Sequence, residues 1–254
     1  MKDTSKQIII IPARMSASRL PGKPLADIAG KPMIQHVYER AVSADLAPVI
    51  VATDHSDIAD VITRIGGRAV MTDPELPSGS DRCAEALRQI DPSGQYRHVI
   101  NLQGDLPELP VSCLTALCDL CSADKHALNT LVCPATPHEA SQPQLVKVVA
   151  SFDTADPISD ETIGEAHYFS REAIPHGADQ FWHHIGLYGW RRDALEAFVV
   201  RPPSPLEQIE KLEQLRAIEA GWTIGVRAVA QGAAGVDVQS DLEAARQRLS
   251  ADSN

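Results

Sequence analysis

The sequence carries two kinds of charged constellation that could do chemistry on a phosphate. The first is a basic loop. Residues 8–32, IIIIPARMSASRLPGKPLADIAGKP, run from four isoleucines into Arg14, Arg19, Lys23 and Lys31, with no acidic residue before Asp27. Arg14, Arg19 and Lys23, with Ser16 and Ser18 among them and Gly22 expected to let the backbone approach closely, offer guanidinium forks, an ammonium, hydroxyls and free N–H groups. That inventory suits a triphosphate. A Walker A loop is excluded, because Pro24 follows Lys23 and no Gly lies five residues before Gly22; the absence of G-x-G-x-x-G excludes the dinucleotide fingerprint. A plain solvated basic loop is the competing account.

The second constellation is a pair of aspartates. Asp105 in NLQGDLP follows an apolar run, with Gly104 expected to give a tight turn, and Asp237 in GVDVQSDL ends a glycine-bearing loop. Two carboxylates from distant segments can converge on a hard, oxygen-preferring Mg²⁺ that also holds triphosphate oxygens. A helix N-cap or turn role is the alternative for each.

These residues need a frame. QIIII (7–11), APVIVAT (47–53), RHVINLQ (97–103) and HALNTLVC (126–133) are short apolar runs that read as buried parallel strands. Between them lie helical patterns over 32–44, 56–66, 80–90 and 110–121. The alternation predicts an α/β fold with a doubly wound, mostly parallel sheet and right-handed crossovers. From about residue 143 the rhythm changes to strands at 145–152, 165–170 and 184–190 with little helix. The expected organisation is therefore one domain over 1–254, with 143–203 as an inserted α+β subdomain. A long helix is predicted over 204–221, N-capped by Ser204 with Pro205 at N1 and Glu207 at N3, and an apolar stripe of Leu206, Ile209, Leu212, Leu215 and Ile218. A strand over 222–230 and a helix over 240–250 follow.

Composition narrows the partners. With 23 Lys+Arg against 34 Asp+Glu the net charge is -11, which argues against a broad nucleic-acid-binding face. No window is apolar enough to span a bilayer. MKDTSKQ enters a strand without a signal-peptide pattern, so a cytoplasmic protein is expected. The five cysteines are odd in number and irregular in spacing, and CLTALCDLC reads as a core-facing helix rather than a disulfide or zinc framework.

At this level IIPARMSASRLPGKPLADIAGKPMIQHV, VATDHSDI, SGSDR, VINLQGDLP, VKVV, YFSR, HHIGLYGWRR, SPLEQIEKLEQLR and GVD together resemble the 3-deoxy-D-manno-octulosonate (Kdo) cytidylyltransferases, the CMP-Kdo synthetases. The resemblance runs from about residue 8 to residue 248 with the motifs in family order. It implies a nucleotide-diphosphosugar transferase-like fold, usually a homodimer. The implied reaction is CTP + Kdo → CMP-Kdo + diphosphate with Mg²⁺, in the lipopolysaccharide pathway. It further implies that Arg14 and Lys23 neutralise charge as a sugar hydroxyl attacks the α-phosphorus, with Asp105 and Asp237 on the metal. The general base is left open, since a second Mg²⁺ shared through Asp105 could activate the hydroxyl instead. By the same resemblance Gln103, Arg171, His184, Glu213 and Gln214 line the sugar site with Tyr188 beside them, while His183 and Arg216 are structural. Ser78, Ser80 and Arg82 would read the pyrimidine or ribose, with helix capping the rival account for the two serines. A polar helix face is the rival for Glu213 and Gln214.

Two departures from the commonest family spelling stand out. Leu106 takes the place of an acidic residue after Asp105, and Val238-Gln239 replaces the usual Thr-Pro after Asp237; the segment between YFSR and HHIG is also short. Exact sugar preference is thus less fixed than the chemistry, and an 8-amino-Kdo or sialic-type acid is the nearest rival. A nucleotide-binding protein without catalysis is a second, opposed by the presence of both aspartates.

Overall fold

The computed structural model describes residues 6–16, 20–153, 158–232 and 235–251. Arg19 and Ser18, two of the basic-loop residues, lie outside them. The chain divides into two compact units, one built from the described residues up to Thr115 and from Gly235 onward, the other from Ala116–Gly232.

The first unit starts with β1 (Gln7–Ala13), whose seven residues are all buried, as a strand covered on both faces requires. A two-stranded ribbon, β2 (Asp27–Ile28) and β3 (Lys31–Pro32), leads into α1 (Met33–Ser43). Then come β4 (Val49–Thr53), α2 (Ser56–Arg64), β5 (Arg68–Met71), α3 (Gly79–Ile90), β6 (His98–Leu102) and α4 (Val111–Ser122), inside which the boundary falls. The strand order is β5-β4-β1-β6 with every pair parallel. The order reverses at β1: β4 and β5 extend one way and β6 pairs on the other side. Strand β5 was not expected from the sequence; its four residues are too few to show a period. The C-terminal helix (Gln239–Ala251) buries Leu242, Ala245 and Leu249 against Ile28, Met33 and Val236.

In the second unit β7 (Leu128–Ala135) is followed by α5 (Pro137–Ala140), β8 (Lys147–Phe152), β9 (Ile163–Ser170), β10 (Phe181–Arg191), α6 (Arg192–Val199), α7 (Pro205–Glu210), α8 (Leu215–Glu219) and β11 (Ile224–Ala228). The order is β10-β7-β11-β9-β8, and β8 pairs again with β10 at Lys147↔His183. Only β11–β7 is parallel here; the remaining pairs are antiparallel. This unit thus accounts for the change of rhythm after residue 143, while its α6 is a helix that the sequence reading missed.

The long helix expected over 204–221 is broken. Ser204 N–H does donate to Glu207 Oε2 at 2.9 Å, as a capping box requires, but Lys211 turns left-handed at φ 59 and ends α7. Tertiary contacts outweigh helical propensity there. Arg171 binds the Glu210 and Lys211 carbonyls, and Arg216 folds α8 back with a bidentate pair to Glu207 at 2.6 and 2.8 Å. The break divides the apolar stripe, leaving Leu212 and Leu215 buried and Ile209 76% exposed. All five cysteines are free and buried, and burial pushes the Cys118 thiol up to about 12, so they act as core side chains.

Candidate active site

Local sequence fixes the basic loop of the first unit. Gly22 takes φ 70, a left-handed conformation costly for any side chain, and Pro24 follows in a 3₁₀ turn over Lys23–Leu25. A Cβ at Gly22 would meet nothing within 4 Å, so within the chain it is the left-handed turn that requires this glycine. Gly104 lies in the turn expected after the apolar run, and its Cβ would in addition lie 2.9 Å from the Pro12 carbonyl oxygen. The chain beyond β6 can therefore pass against the end of β1 only because residue 104 has no side chain.

Those two glycines bring the charges together. Lys23 Nζ lies 2.7 Å from Asp105 Oδ2 and 3.2 Å from Asp237 Oδ1, and donates to the Val236 carbonyl at 2.9 Å. Val236 N–H in turn donates to the Asp105 carbonyl at 2.9 Å. Asp105 and Asp237 are 28% and 46% exposed, so their pairing with Lys23 is open to water and exchangeable. They border a cleft of about 270 Å³ whose lining includes Arg14, Lys23, Ser78, Arg82, Gln103 and both aspartates. Arg14 and Ser16 are exposed.

Arg82 is almost wholly buried on the cleft wall. Its Nη1 donates to Thr72 Oγ1 at 2.5 Å and to the Asp73 carbonyl at 3.3 Å, while Nη2 pairs with Asp54 Oδ2 at 3.5 Å without a hydrogen bond. Burial pulls its pKa down and Asp54 opposes the pull. Asp54, which the sequence reading passed over, also accepts the Met15 N–H at 3.0 Å and so anchors the basic loop. Ser78 is the N-cap of α3, accepting from Asp81 N–H at 3.2 Å, and Ser80 is buried. Gln103 Nε2 donates to Asn101 Oδ1 at 2.9 Å.

The second unit assembles another polar group. His184 Nε2 lies 3.0 Å from Thr130 Oγ1, with Phe169 edge-on and Tyr188 beside it. Burial pulls the His184 pKa down to about 3, so the ring is neutral. Tyr188 donates to Gln214 Oε1 at 3.0 Å, and burial raises its phenol, keeping the proton on. Gln214 Nε2 is buried without a partner. Glu213 precedes it between α7 and α8.

Arg171 is occupied with main chain: Nε, Nη1 and Nη2 donate to the carbonyls of Glu210 at 2.9 Å, Pro143 at 3.1 Å and Lys211 at 3.5 Å. Buried Lys147 donates to the carbonyls of Arg171 and Gln142. Lys147 was also missed; a lone Lys in a β-branched strand gives no sign of its partners. Arg216 stacks 4.3 Å over Phe198 and pairs with Glu207, the structural role expected of it.

Known proteins similar to this chain share its whole length or nearly so. A sequence model of the family described as Cytidylyltransferase matches residues 8–224. A 3-deoxy-manno-octulosonate cytidylyltransferase of Rhodopseudomonas palustris (strain BisB18) is 49% identical over 246 residues, covering 96% of this chain and 98% of that protein. One of Parvibaculum lavamentivorans is 46% identical, covering 95% and 92%. A solved structure of CMP:2-keto-3-deoxy-manno-octonic acid synthetase complexed with CTP superposes with a TM-score of 0.87 at 39% identity, covering 98% of this chain and all of that one.

Proposed function

The chain belongs to the 3-deoxy-manno-octulosonate cytidylyltransferase family, and from that premise we propose how its own residues carry the reaction. The enzyme transfers CMP from CTP to Kdo, releasing diphosphate. The observation that carries the residue assignment is the meeting of Lys23, Asp105 and Asp237 at one end of the cleft.

The donor set fits a hard divalent ion: two carboxylates, with no third protein ligand in a metal-binding group among the described residues, leave coordination positions for triphosphate oxygens. Asp105 and Asp237 would hold Mg²⁺, which when bound supplies Lewis-acid charge to those oxygens. Lys23 now neutralises the two carboxylates; with CTP present its ammonium turns to the phosphates, joined by Arg14 and by Arg19 and Ser16 of the same loop. As the sugar hydroxyl attacks in line and diphosphate leaves, Lys23 and Arg14 stabilise the developing charge, which is the dominant catalytic contribution in phosphoryl transfer. Arg82, paired with Asp54, contacts the pyrimidine or ribose with Ser78 and Ser80 beside it.

For the sugar we assign Gln103, Arg171, His184, Tyr188, Glu213 and Gln214. The buried Gln214 Nε2, which lacks a partner while Oε1 accepts from Tyr188, supports this, since such a donor is costly unless a ligand satisfies it. The strand order that reverses at β1 supports a doubly wound sheet with its ligand at the carboxyl ends of the strands. Residues 143–203 would form the sugar-binding and dimerisation subdomain of a single nucleotidyltransferase domain, in a cytoplasmic homodimer that activates Kdo for lipopolysaccharide. None of the described helices is long and apolar enough to cross a membrane.

Diphosphate release from CTP and Mg²⁺, measured with Kdo, 8-amino-Kdo and a sialic acid in parallel, tests the reading. Turnover with Kdo above the others is expected. Release only with another acid would overturn the sugar assignment.

A further inference from the structure

We propose that Asp241 is a positioning residue for Asp237, setting where that carboxylate points toward a divalent ion; the proposal rests on the metal assignment above. The helix that follows Asp237 begins at Gln239, so Val238 occupies its N-cap and Asp241 its third position. Valine has no side-chain oxygen to satisfy the orphan N–H groups of a helix start. Asp241 supplies the acceptor instead, reaching backward. Its Oδ2 accepts the Val238 N–H at 3.0 Å, which is the returning half of a capping box, and also the Asp237 N–H at 2.9 Å. One carboxylate oxygen thus holds the peptide N–H on each side of the Asp237 Cα, while the preceding residue is pinned by Val236 N–H to the Asp105 carbonyl.

The helix that carries Asp241 is itself clamped to the segment beyond Asp105. Arg248 Nε and Nη2 lie 2.7 and 2.6 Å from Glu108 Oε1 and Oε2, and Leu242, Ala245 and Leu249 pack on Val236, Ile28 and Met33. Asp241 therefore ties Asp237 to a rigid body that is also tied to the Asp105 loop. In this chain, where Val238-Gln239 stands at the helix start, that tie depends on the Asp241 carboxylate.

The test is Mn²⁺ affinity of the whole protein by electron paramagnetic resonance, alone and with CTP, alongside thermal unfolding and the metal dependence of turnover. Asp241→Ala should weaken Mn²⁺ binding about tenfold, the order seen when groups that orient a metal ligand are removed. Turnover should largely return at saturating metal. Asp241→Asn, which keeps an oxygen acceptor, should stay within about threefold of the parent on the same scale. Val238→Thr combined with Asp241→Ala restores an N-cap hydroxyl and keeps the helix folded but does not replace the Asp241 acceptor of the Asp237 N–H, so it should remain weak. Parental affinity in Asp241→Ala or in the double variant would overturn the proposal, as would equal weakness of the Asn and Ala variants, which would make the charge itself the operative feature. Asp237→Asn serves as the separate control: parental Mn²⁺ affinity there would overturn the metal assignment itself.

Discussion

Lys23 Nζ stands 2.7 Å from Asp105 Oδ2, so the basic loop neutralises the carboxylate we assign to the metal. The same ammonium reaches Asp237, and one cation therefore holds both acids in the ligand-free enzyme. A bound divalent ion would take over that task and free Lys23 for phosphate. Asp105→Asn should keep CTP binding measurable while lowering turnover by about a hundredfold or more, comparable to removing an electrostatic stabiliser of a transition state. Equal turnover in the variant would refute the role of Asp105.

Gly104→Ala should be damaging although it adds one methyl group. The new Cβ would sit 2.9 Å from the Pro12 carbonyl oxygen, with Ile34 Cδ1 at 3.4 Å. Relieving that contact requires β1 and the Asp105 loop to separate, at a cost of roughly 1–3 kcal/mol. A lower unfolding midpoint together with a raised divalent-ion requirement is expected. Unchanged values of both would show that the approach is not needed.

Lys147→Met probes the second unit. The parent ammonium is buried and satisfies the carbonyls of Gln142 and Arg171, and burial lowers its pKa. Methionine fills the space without donors, leaving two carbonyls unpaired, so a loss of about 1–3 kcal/mol is expected from denaturant unfolding. The apparent KM for the sugar should rise as well, because Arg171 and the turn before Glu213 lose their anchor. A variant as stable as the parent, with the parental KM, would contradict this.

His184 makes a pH-dependent contribution to stability. Burial lowers its folded pKa to about 3 from the ordinary 6.5, whereas the unfolded chain takes up the proton near 6.5. Its contribution is full well above that value and falls as the pH drops toward the folded pKa, by about 1 kcal/mol for the first unit below 6.5. His184→Asn should flatten the slope of unfolding free energy between about pH 5 and 7. An identical slope in parent and variant would exclude a buried neutral imidazole.

The parallel α/β core and both aspartates were legible in the sequence because each rests on local signals. The isoleucine run of β1 announces a strand buried on two faces, and Gly104-Asp105 stands where an apolar run stops. The broken helix was not legible. Its stripe from Leu206 to Ile218 is continuous, and what ends α7 at Lys211 is Arg171, about forty residues upstream, a contact no periodicity encodes. Asp54 and Asp241 were missed for a similar reason, since their significance lies in the N–H groups they accept. The turn at Gly104 was legible, but its close packing against Pro12 was not, nor was the left-handed backbone that Gly22 supplies.

The most direct test of the central claim is a crystal structure with CTP and Mn²⁺, read by anomalous scattering. A manganese peak within coordination distance of both Asp105 and Asp237, about 2.1–2.3 Å from their oxygens, with Lys23 Nζ moved onto the phosphates, is the predicted result. Bound CTP with the metal elsewhere and Lys23 still paired with Asp105 would contradict the account.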